Sequence, residues 1–191
     1  GDLNTYGKWI QRFAGNGLNE YVIPEGIIGI ERGAFSYCSD LKILTIPNSL
    51  VEISSGAFGE NLGDMAGIVS VYGEHTSDDN KCFVIDDELK YFVAKKGVVK
   101  YNIPDNITSI ASLAFANNYE LQELYMGDNV RTIGGGCFAR CPQLKSVQLS
   151  ASLKEIKGSD PFDLCENLQK VYLRSLVPPL YCDEYDNFTN F

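Results

Sequence analysis

The sequence predicts a right-handed solenoid of stacked repeats, mostly β with short helical turns: about seven rungs of 23–24 residues, with one inserted β-hairpin. Three observations predict it. A phenylalanine recurs at Phe35, Phe58, Phe115, Phe138 and Phe162, with separations of 23 (35 to 58), 23 (115 to 138) and 24 (138 to 162). Each has an isoleucine five or six residues before it, and four of the five have a leucine six after. Between Phe58 and Phe115 the gap is 57 residues, which breaks the rhythm once. A stacked array offers a long shallow surface and seldom a closed catalytic pocket.

Each unit opens as a short strand. Aligned on the phenylalanines, the starts are Tyr21-Val22-Ile23-Pro24, Leu44-Thr45-Ile46-Pro47, Tyr101-Asn102-Ile103-Pro104, Leu124-Tyr125-Met126-Gly127, Val147-Gln148-Leu149-Ser150 and Val171-Tyr172-Leu173-Arg174. Side chains alternate across a strand, so the two apolar positions point inward and the residues between and before them point out. Proline after the strand ends it, because it supplies no ladder donor. A second apolar pair follows at a spacing of three, in Ile27/Ile30, Leu50/Ile53, Ile107/Ile110, Val130/Ile133 and Leu153/Ile156, suited to a second short extended or turn segment facing the core. The phenylalanine then arrives in a small helical turn, preceded by Ala34, Ala57, Ala114 or Cys137, with Pro161 as the exception. Three residues beyond it stand Cys38, Asn61, Asn118, Cys141 and Cys165, a column of short buried amides or thiols able to satisfy inward backbone groups.

Composition agrees with a folded chain. Of 191 residues 45% are hydrophobic and 12% aromatic, too rich for disorder. The net charge of −9 argues against a nucleic-acid backbone or an anionic membrane surface as the main partner, since both need a basic face. No apolar run approaches the roughly 18 residues of a membrane span. The start Gly1-Asp2-Leu3-Asn4 lacks the basic and apolar regions of a leader; a mature form with its leader removed and a cytosolic protein would both begin this way.

The segment from Ile46-Pro47-Asn48-Ser49-Leu50-Val51-Glu52-Ile53 through Gly56-Ala57-Phe58 resembles the BspA-like leucine-rich repeat family, whose units read strand, Ile-Pro, polar turn, apolar pair, Gly-Ala-Phe and a Cys/Asn position. The resemblance runs from about Leu18 to Lys170, with a degenerate last turn at Val177-Pro178-Pro179 and Phe188. The departures are Gly127 and Ser150 for proline, and Pro161-Phe162 for Ala-Phe with one added residue in that unit. What the resemblance implies is a leucine-rich-repeat solenoid at a bacterial cell surface or in a secreted protein, acting without catalysis in adhesion or protein binding. It implies an extracellular or host protein, or a glycan, as the partner. A glycan-binding or scaffold module inside a larger secreted protein is the alternative. Fold does not fix function.

The chain reads as a single solenoid domain over residues 1–191: an N-terminal cap at 1–20, an inserted hairpin within 73–100 and a degenerate terminal repeat at 171–191. In the cap, Trp9, Ile10, Phe13 and Leu18 suit an amphipathic helix or a half-repeat, which a terminal rung requires to cover its open face. In the interruption a strand survives at Ile68-Val69-Ser70-Val71-Tyr72. A polar loop from Gly73 to Lys81 follows, then Cys82-Phe83-Val84-Ile85 and Lys90-Tyr91-Phe92-Val93 around a turn of three to four residues at Asp86-Asp87-Glu88. Such an insertion is either a structural detour or a recognition loop. No closing helix is evident after Tyr181, so the array is expected to continue beyond residue 191 or to end in this degenerate turn.

Chemistry is sparse in the pattern. The six cysteines read as buried free thiols, because Cys38, Cys141 and Cys165 share a column with Asn61 and Asn118, and asparagine replaces neither a thiolate ligand nor half a disulfide. A ladder disulfide between Cys141 and Cys165 is the geometric alternative, at one rung of about 4.8 Å. Zinc needs four ligands, and the single histidine, His75, lies in the inserted loop. The acidic clusters Asp78-Asp79, Asp86-Asp87-Glu88 and Asp183-Glu184-Asp186 match turns or a terminus and lack the ligand spacing of a calcium loop. Gly134-Gly135-Gly136 fits no phosphate loop and reads as a turn. No cofactor, metal site or catalytic residue is therefore expected, and the protein is expected to be a monomer.

The outward strand positions remain: Glu20 and Val22, Ile43 and Thr45, Lys100 and Asn102, Glu123 and Tyr125, Ser146 and Gln148, Lys170 and Tyr172. Ile43, Thr45, Lys100, Asn102, Glu123, Tyr125, Gln148, Lys170 and Tyr172 are the expected binding residues. Tyr125 and Tyr172 are the expected anchors, since large aromatics dominate interface energies; the plainer reading is that they lend β-propensity to an exposed sheet.

Overall fold

A computed structural model describes residues 2–15, 17–59, 65–158, 160–182 and 188–190. The chain forms two compact units, Gly1–Ile85 with Lys90–Gly97, and Asp86–Leu89 with Val98–Phe191. Among the described residues no helix is long and apolar enough to cross a membrane.

The first unit opens as a hairpin in which β1 (Asp2–Tyr6) runs antiparallel to β2 (Trp9–Ala14), with Gly7 at φ 63° in the turn. This takes the place of the helix that the apolar spacing of the cap admits. The reason lies in the next rung, where Glu31 N–H donates to the Ile10 carbonyl and Phe13 N–H donates to the Ala34 carbonyl. A helix would use those groups internally. The cap is thus a half-repeat, with Ile10 and Phe13 both buried.

Two columns of parallel strands follow. In chain order they are β3 (Glu20–Val22), β4 (Gly29–Ile30), β5 (Ile43–Thr45), β6 (Glu52–Ile53) and β7 (Ser70–Tyr72). β3, β5 and β7 stack in register, with Tyr21, Leu44 and Val71 in line. β2, β4 and β6 form the second column through Ile10, Ile30 and Ile53. The strand expected at 68–72 is therefore present as β7.

β8 (Cys82–Ile85) and β9 (Glu88–Phe92) make the inserted hairpin. Its turn has two residues, not three or four: Asp86 and Asp87 have φ 49° and 60°. Successive left-handed residues match the twist of flanking strands, and aspartate is among the few side chains that tolerate the conformation. Tyr91 lies with its ring centroid 5.8 Å from that of Phe58 and so extends the aromatic column of the first unit. Lys95 is buried beneath it, Nζ 3.2 Å from the Tyr91 hydroxyl and 4.8 Å from the ring centroid.

In the second unit the same two columns alternate: β10 (Lys100–Asn102), β11 (Ser109–Ile110), β12 (Glu123–Tyr125), β13 (Thr132–Ile133), β14 (Ser146–Gln148), β15 (Glu155–Lys157) and β16 (Lys170–Tyr172). β10, β12, β14 and β16 form one parallel sheet. In the other column Leu89 of β9 stands opposite Ile110, so the returning strand of the hairpin also serves as a rung. That column continues through β11, β13 and β15 to β17 (Leu180–Cys182) and closes on antiparallel β18 (Phe188–Asn190). Among the described residues the first-column strands number three in one unit and four in the other, in line with the expected seven rungs.

The phenylalanines stack as the period requires. Centroids are 5.0 Å apart from Phe13 to Phe35 and 5.5 Å from Phe35 to Phe58. In the second unit they are 5.4 Å apart from Phe115 to Phe138 and 5.5 Å from Phe138 to Phe162. Their segments are hydrogen-bonded turns and not helices, because alternate N–H groups donate to the following rung. Phe35 donates to Ala57, Phe115 to Cys137 and Phe138 to Pro161. Proline is tolerated at 161 because the ladder uses only its carbonyl.

Keeping that ladder while turning requires left-handed residues on both sides of the ring. Two positions after it, Tyr37, Asn117, Arg140 and Leu164 have φ between 55° and 64°. Two before it, Gly33, Gly56 and Gly136 have φ of 73°, 76° and 58°, but Leu113 takes the same place at φ 60°. Leu113 is 40% exposed, so its side chain gains less from burial than a core leucine does. Leu113→Gly should therefore raise stability by about 0.5–1 kcal/mol, the left-handed cost to leucine exceeding the entropy cost of glycine. Thermal unfolding will check this, and a lower melting temperature would show that leucine packing dominates.

Candidate interaction surface

The outward positions predicted from the repeat fall on two separate sheets. Glu20, Ile43 and Ser70 are aligned across the three-stranded sheet of the first unit, as are Val22, Thr45 and Tyr72. In the second unit Lys100, Glu123, Ser146 and Lys170 form one row, and Asn102, Tyr125, Gln148 and Tyr172 the next. The structure therefore groups Lys100, Asn102, Glu123, Tyr125, Gln148, Lys170 and Tyr172 together and places Ile43 and Thr45 in another sheet. Strand register alone achieves the grouping, since residues one period apart come to lie side by side.

The second-unit surface is polar and partly locked. Lys100 Nζ lies 3.5 Å from Glu123 Oε2 and 4.4 Å from the Tyr125 ring centroid. The Tyr125 hydroxyl donates to Glu123 Oε2 at 2.9 Å. The hydrogen bond and charge interaction with Tyr125, followed by Glu123, raise the Lys100 pKa, which keeps the ammonium charged. Tyr125 is half-buried by these partners, whereas Tyr172 is 50% exposed. Between them lies an open cleft of about 440 Å³ lined by Tyr125, Ser146, Gln148, Tyr172, Leu173 and Arg174.

Two of its features escaped the sequence reading. Arg174, at the position that proline fills in other rungs, pairs with Asp128 across 46 residues, its second nitrogen 3.4 Å from Oδ2. Leu173 belongs to an inward column, yet it and Val171 are 46% and 37% exposed. Val171 lies in β16 and Leu173 just after it, and β16 is the edge of its sheet among the described residues, so the column is uncovered there. In the first unit Tyr72, 43% exposed, is a further outward aromatic that strand alternation at 68–72 would have revealed.

The thiol column behaves as the stacking argument requires. Cys141 Sγ donates to the Phe115 carbonyl at 3.3 Å and Cys165 Sγ to the Phe138 carbonyl at 3.0 Å, each one rung back. Both are free thiols, as are Cys38, Cys82 and Cys137, so the ladder disulfide does not form. Burial pushes the Cys137 thiol well up and the Cys38 thiol up, whereas side-chain hydrogen bonding with Cys141 lowers Cys165. Asn118 works differently: its Oδ1 accepts from Glu120 and Leu121 N–H within its own turn. Asn61 and the cluster Asp183-Glu184-Asp186 lie outside the described residues. Among the described residues no group of three or more His, Cys, Asp or Glu is arranged to hold a metal.

Comparison with known proteins bears on the repeat and not on the surface. Three solved structures resemble the chain at low identity. A leucine-rich cell surface protein from Faecalibacterium prausnitzii is 19% identical with a TM-score of 0.43, over 82% of this chain and 60% of that one. A leucine-rich repeat protein from Bacteroides ovatus is 21% identical with a TM-score of 0.48, over 93% and 52%. One from Eubacterium ventriosum is 18% identical with a TM-score of 0.43, over 81% and 54%. The chain thus spans little more than half the length of these proteins. No curated protein matches it. The family model described as BspA type Leucine rich repeat region matches in six copies, over residues 10–99 and 88–184. With that match over most of its length, and with its aromatic, strand and thiol columns stacked at the same period, the chain belongs to the BspA-type leucine-rich repeat family.

Proposed function

We propose that this chain is a non-enzymatic recognition module of a secreted or cell-surface bacterial protein, and that it captures an extracellular or host protein on the outward face of β10, β12, β14 and β16. One observation carries the reading: Tyr125, Gln148 and Tyr172 are brought side by side on adjacent rungs, although they are dispersed in the sequence. An aromatic pair around polar groups has the make-up of an interface anchor. The description of the Faecalibacterium prausnitzii relative as a cell surface protein supports the placement. Adhesion follows from such a placement, since a repeat surface outside the cell meets host and matrix proteins.

The test is a pull-down from host extracellular matrix with the doubly substituted Tyr125→Ala, Tyr172→Ala chain. Capture is expected to weaken tenfold or more, about 1.4 kcal/mol or greater, while the melting temperature moves little. The competing location is the loop after β7, where Glu74 and Asp78 are exposed. Capture that survives the tyrosine pair but fails with Glu74→Ala, Asp78→Ala would move the site there. Substitution is the proper probe, because trimming the hairpin would also remove β9, which serves as a rung.

A further inference from the structure

The cleft between the two tyrosines is more selective than a flat docking face requires. Tyr125 and Tyr172 are two rungs apart, about 9.6 Å at the usual strand spacing, and Gln148 lies between them in register. Gln148 shares their row, so a ligand ring rests over its side chain with a tyrosine on either hand. Lys100 covers the Tyr125 ring from the neighbouring rung, and Glu123 fixes its hydroxyl, so this wall is held in place. At the floor, the Gln148 amide and the Ser146 hydroxyl make no side-chain hydrogen bond among the described residues. Their donors and acceptors stay open to a ligand.

Charge narrows the choice of ligand. Arg174 lines the cleft, Lys170 stands beside Ser146 in register and Lys100 lies against Tyr125, while Glu123 and Asp128 are engaged with Lys100 and Arg174. A partner's lysine or arginine would meet cations at the rim with no carboxylate left unpaired beside it. A purely apolar side chain would bury the amide and hydroxyl without partners, at a cost of roughly 1–3 kcal/mol for each group. A pyranose meets both demands: its C–H faces lie against aromatic rings, and its hydroxyls radiate from the ring edge toward amide, hydroxyl and guanidinium.

We infer that this cleft binds a neutral pyranose unit of a carbohydrate chain, with a C–H face against the Tyr172 ring, Tyr125 at the opposite wall, and its hydroxyls on Gln148, Ser146 and Arg174. The inference rests on the reading of this sheet as the working face, and it names a ligand class beyond a protein surface. The sugar chain enters and leaves along the open surface, so a mid-chain unit is as well accommodated as an end.

The experiment uses the full chain with cellohexaose, maltohexaose and chitohexaose, followed by saturation-transfer NMR and calorimetry. At least one should bind with a dissociation constant of about 1 mM or tighter. Tyr172→Ala should weaken that binding tenfold or more and Gln148→Leu several-fold. Tyr172→Phe, which keeps the ring, should retain it, and Tyr37→Ala, on an exposed tyrosine of the first unit, should change nothing. Circular dichroism of each variant separates lost binding from lost folding. If none of the three saccharides binds, or if Tyr172→Ala leaves affinity unchanged, the inference falls. Should protein capture depend on the tyrosine pair while no saccharide binds, the inference falls and the protein-docking reading stands. Saccharide binding through Tyr172, with protein capture indifferent to the pair, would uphold the inference and overturn that reading.

Discussion

Phe138→Ala should lower the unfolding free energy by about 3–5 kcal/mol. The ring is fully buried and has an aromatic neighbour on each side, Phe115 at 5.4 Å and Phe162 at 5.5 Å. Truncation removes its transfer energy and leaves a void between two rungs whose backbones are held apart by the ladder. Phe138 N–H donates to Pro161 and Phe115 N–H donates to Cys137, and these bonds resist collapse into the space. Phe115→Ala belongs to the same class, being equally buried beside Tyr101 and Phe138. Phe162 is only half-buried, so its truncation should cost about half as much. Urea denaturation followed by circular dichroism measures the series. A loss below about 1 kcal/mol at Phe138 would show that the aromatic column is not the source of rung cohesion.

Gly134→Ala comes second, with an expected loss of about 3 kcal/mol. A Cβ there would lie 2.3 Å from the Ser112 backbone nitrogen and 2.7 Å from its Cα. Backbone cannot yield as the tip of a side chain can, so the rung must shift. The shift would strain the bond from Gly134 N–H to the Ile110 carbonyl, 2.8 Å long, and the phenylalanine ladder just beyond it. The same denaturation experiment applies, and a neutral result would mean that these two rungs slide apart at little cost. Glu31, Ser54 and Ala111 occupy the equivalent place four residues before the ring in other units. The closeness therefore belongs to this pair of rungs and not to the repeat.

Much of the architecture was legible because one period along the chain is one step along the stack. Ile30 over Ile53, Leu124 over Val147 and Phe115 over Phe138 could each be read as contacts from spacing alone. The hairpin strands were legible too, but not their two-residue turn, since nothing in Asp86-Asp87-Glu88 marks which residues take positive φ. The cap was ambiguous because Trp9, Ile10 and Phe13 suit a helix face as well as a half-repeat. The next rung's need for partners decided between them. Of the candidate site, the outward rows were read correctly as alternation, but their division between two sheets was not. Arg174 and Asp128 gave no signal, because a separation of 46 residues matters only once two periods have stacked.

By itself the sequence determined the period, the inward columns and the identity of the outward residues, since each depends on a pattern that every rung repeats. Tertiary structure alone decided where repetition fails. It placed Leu113 where other rungs have glycine, pressed Gly134 against Ser112, uncovered Val171 and Leu173 at an edge, and opened a cleft between Tyr125 and Tyr172. The physical reason is range. Side-chain alternation and turn spacing act over a few residues, whereas close approach, exposure and cleft shape depend on how successive rungs settle against one another.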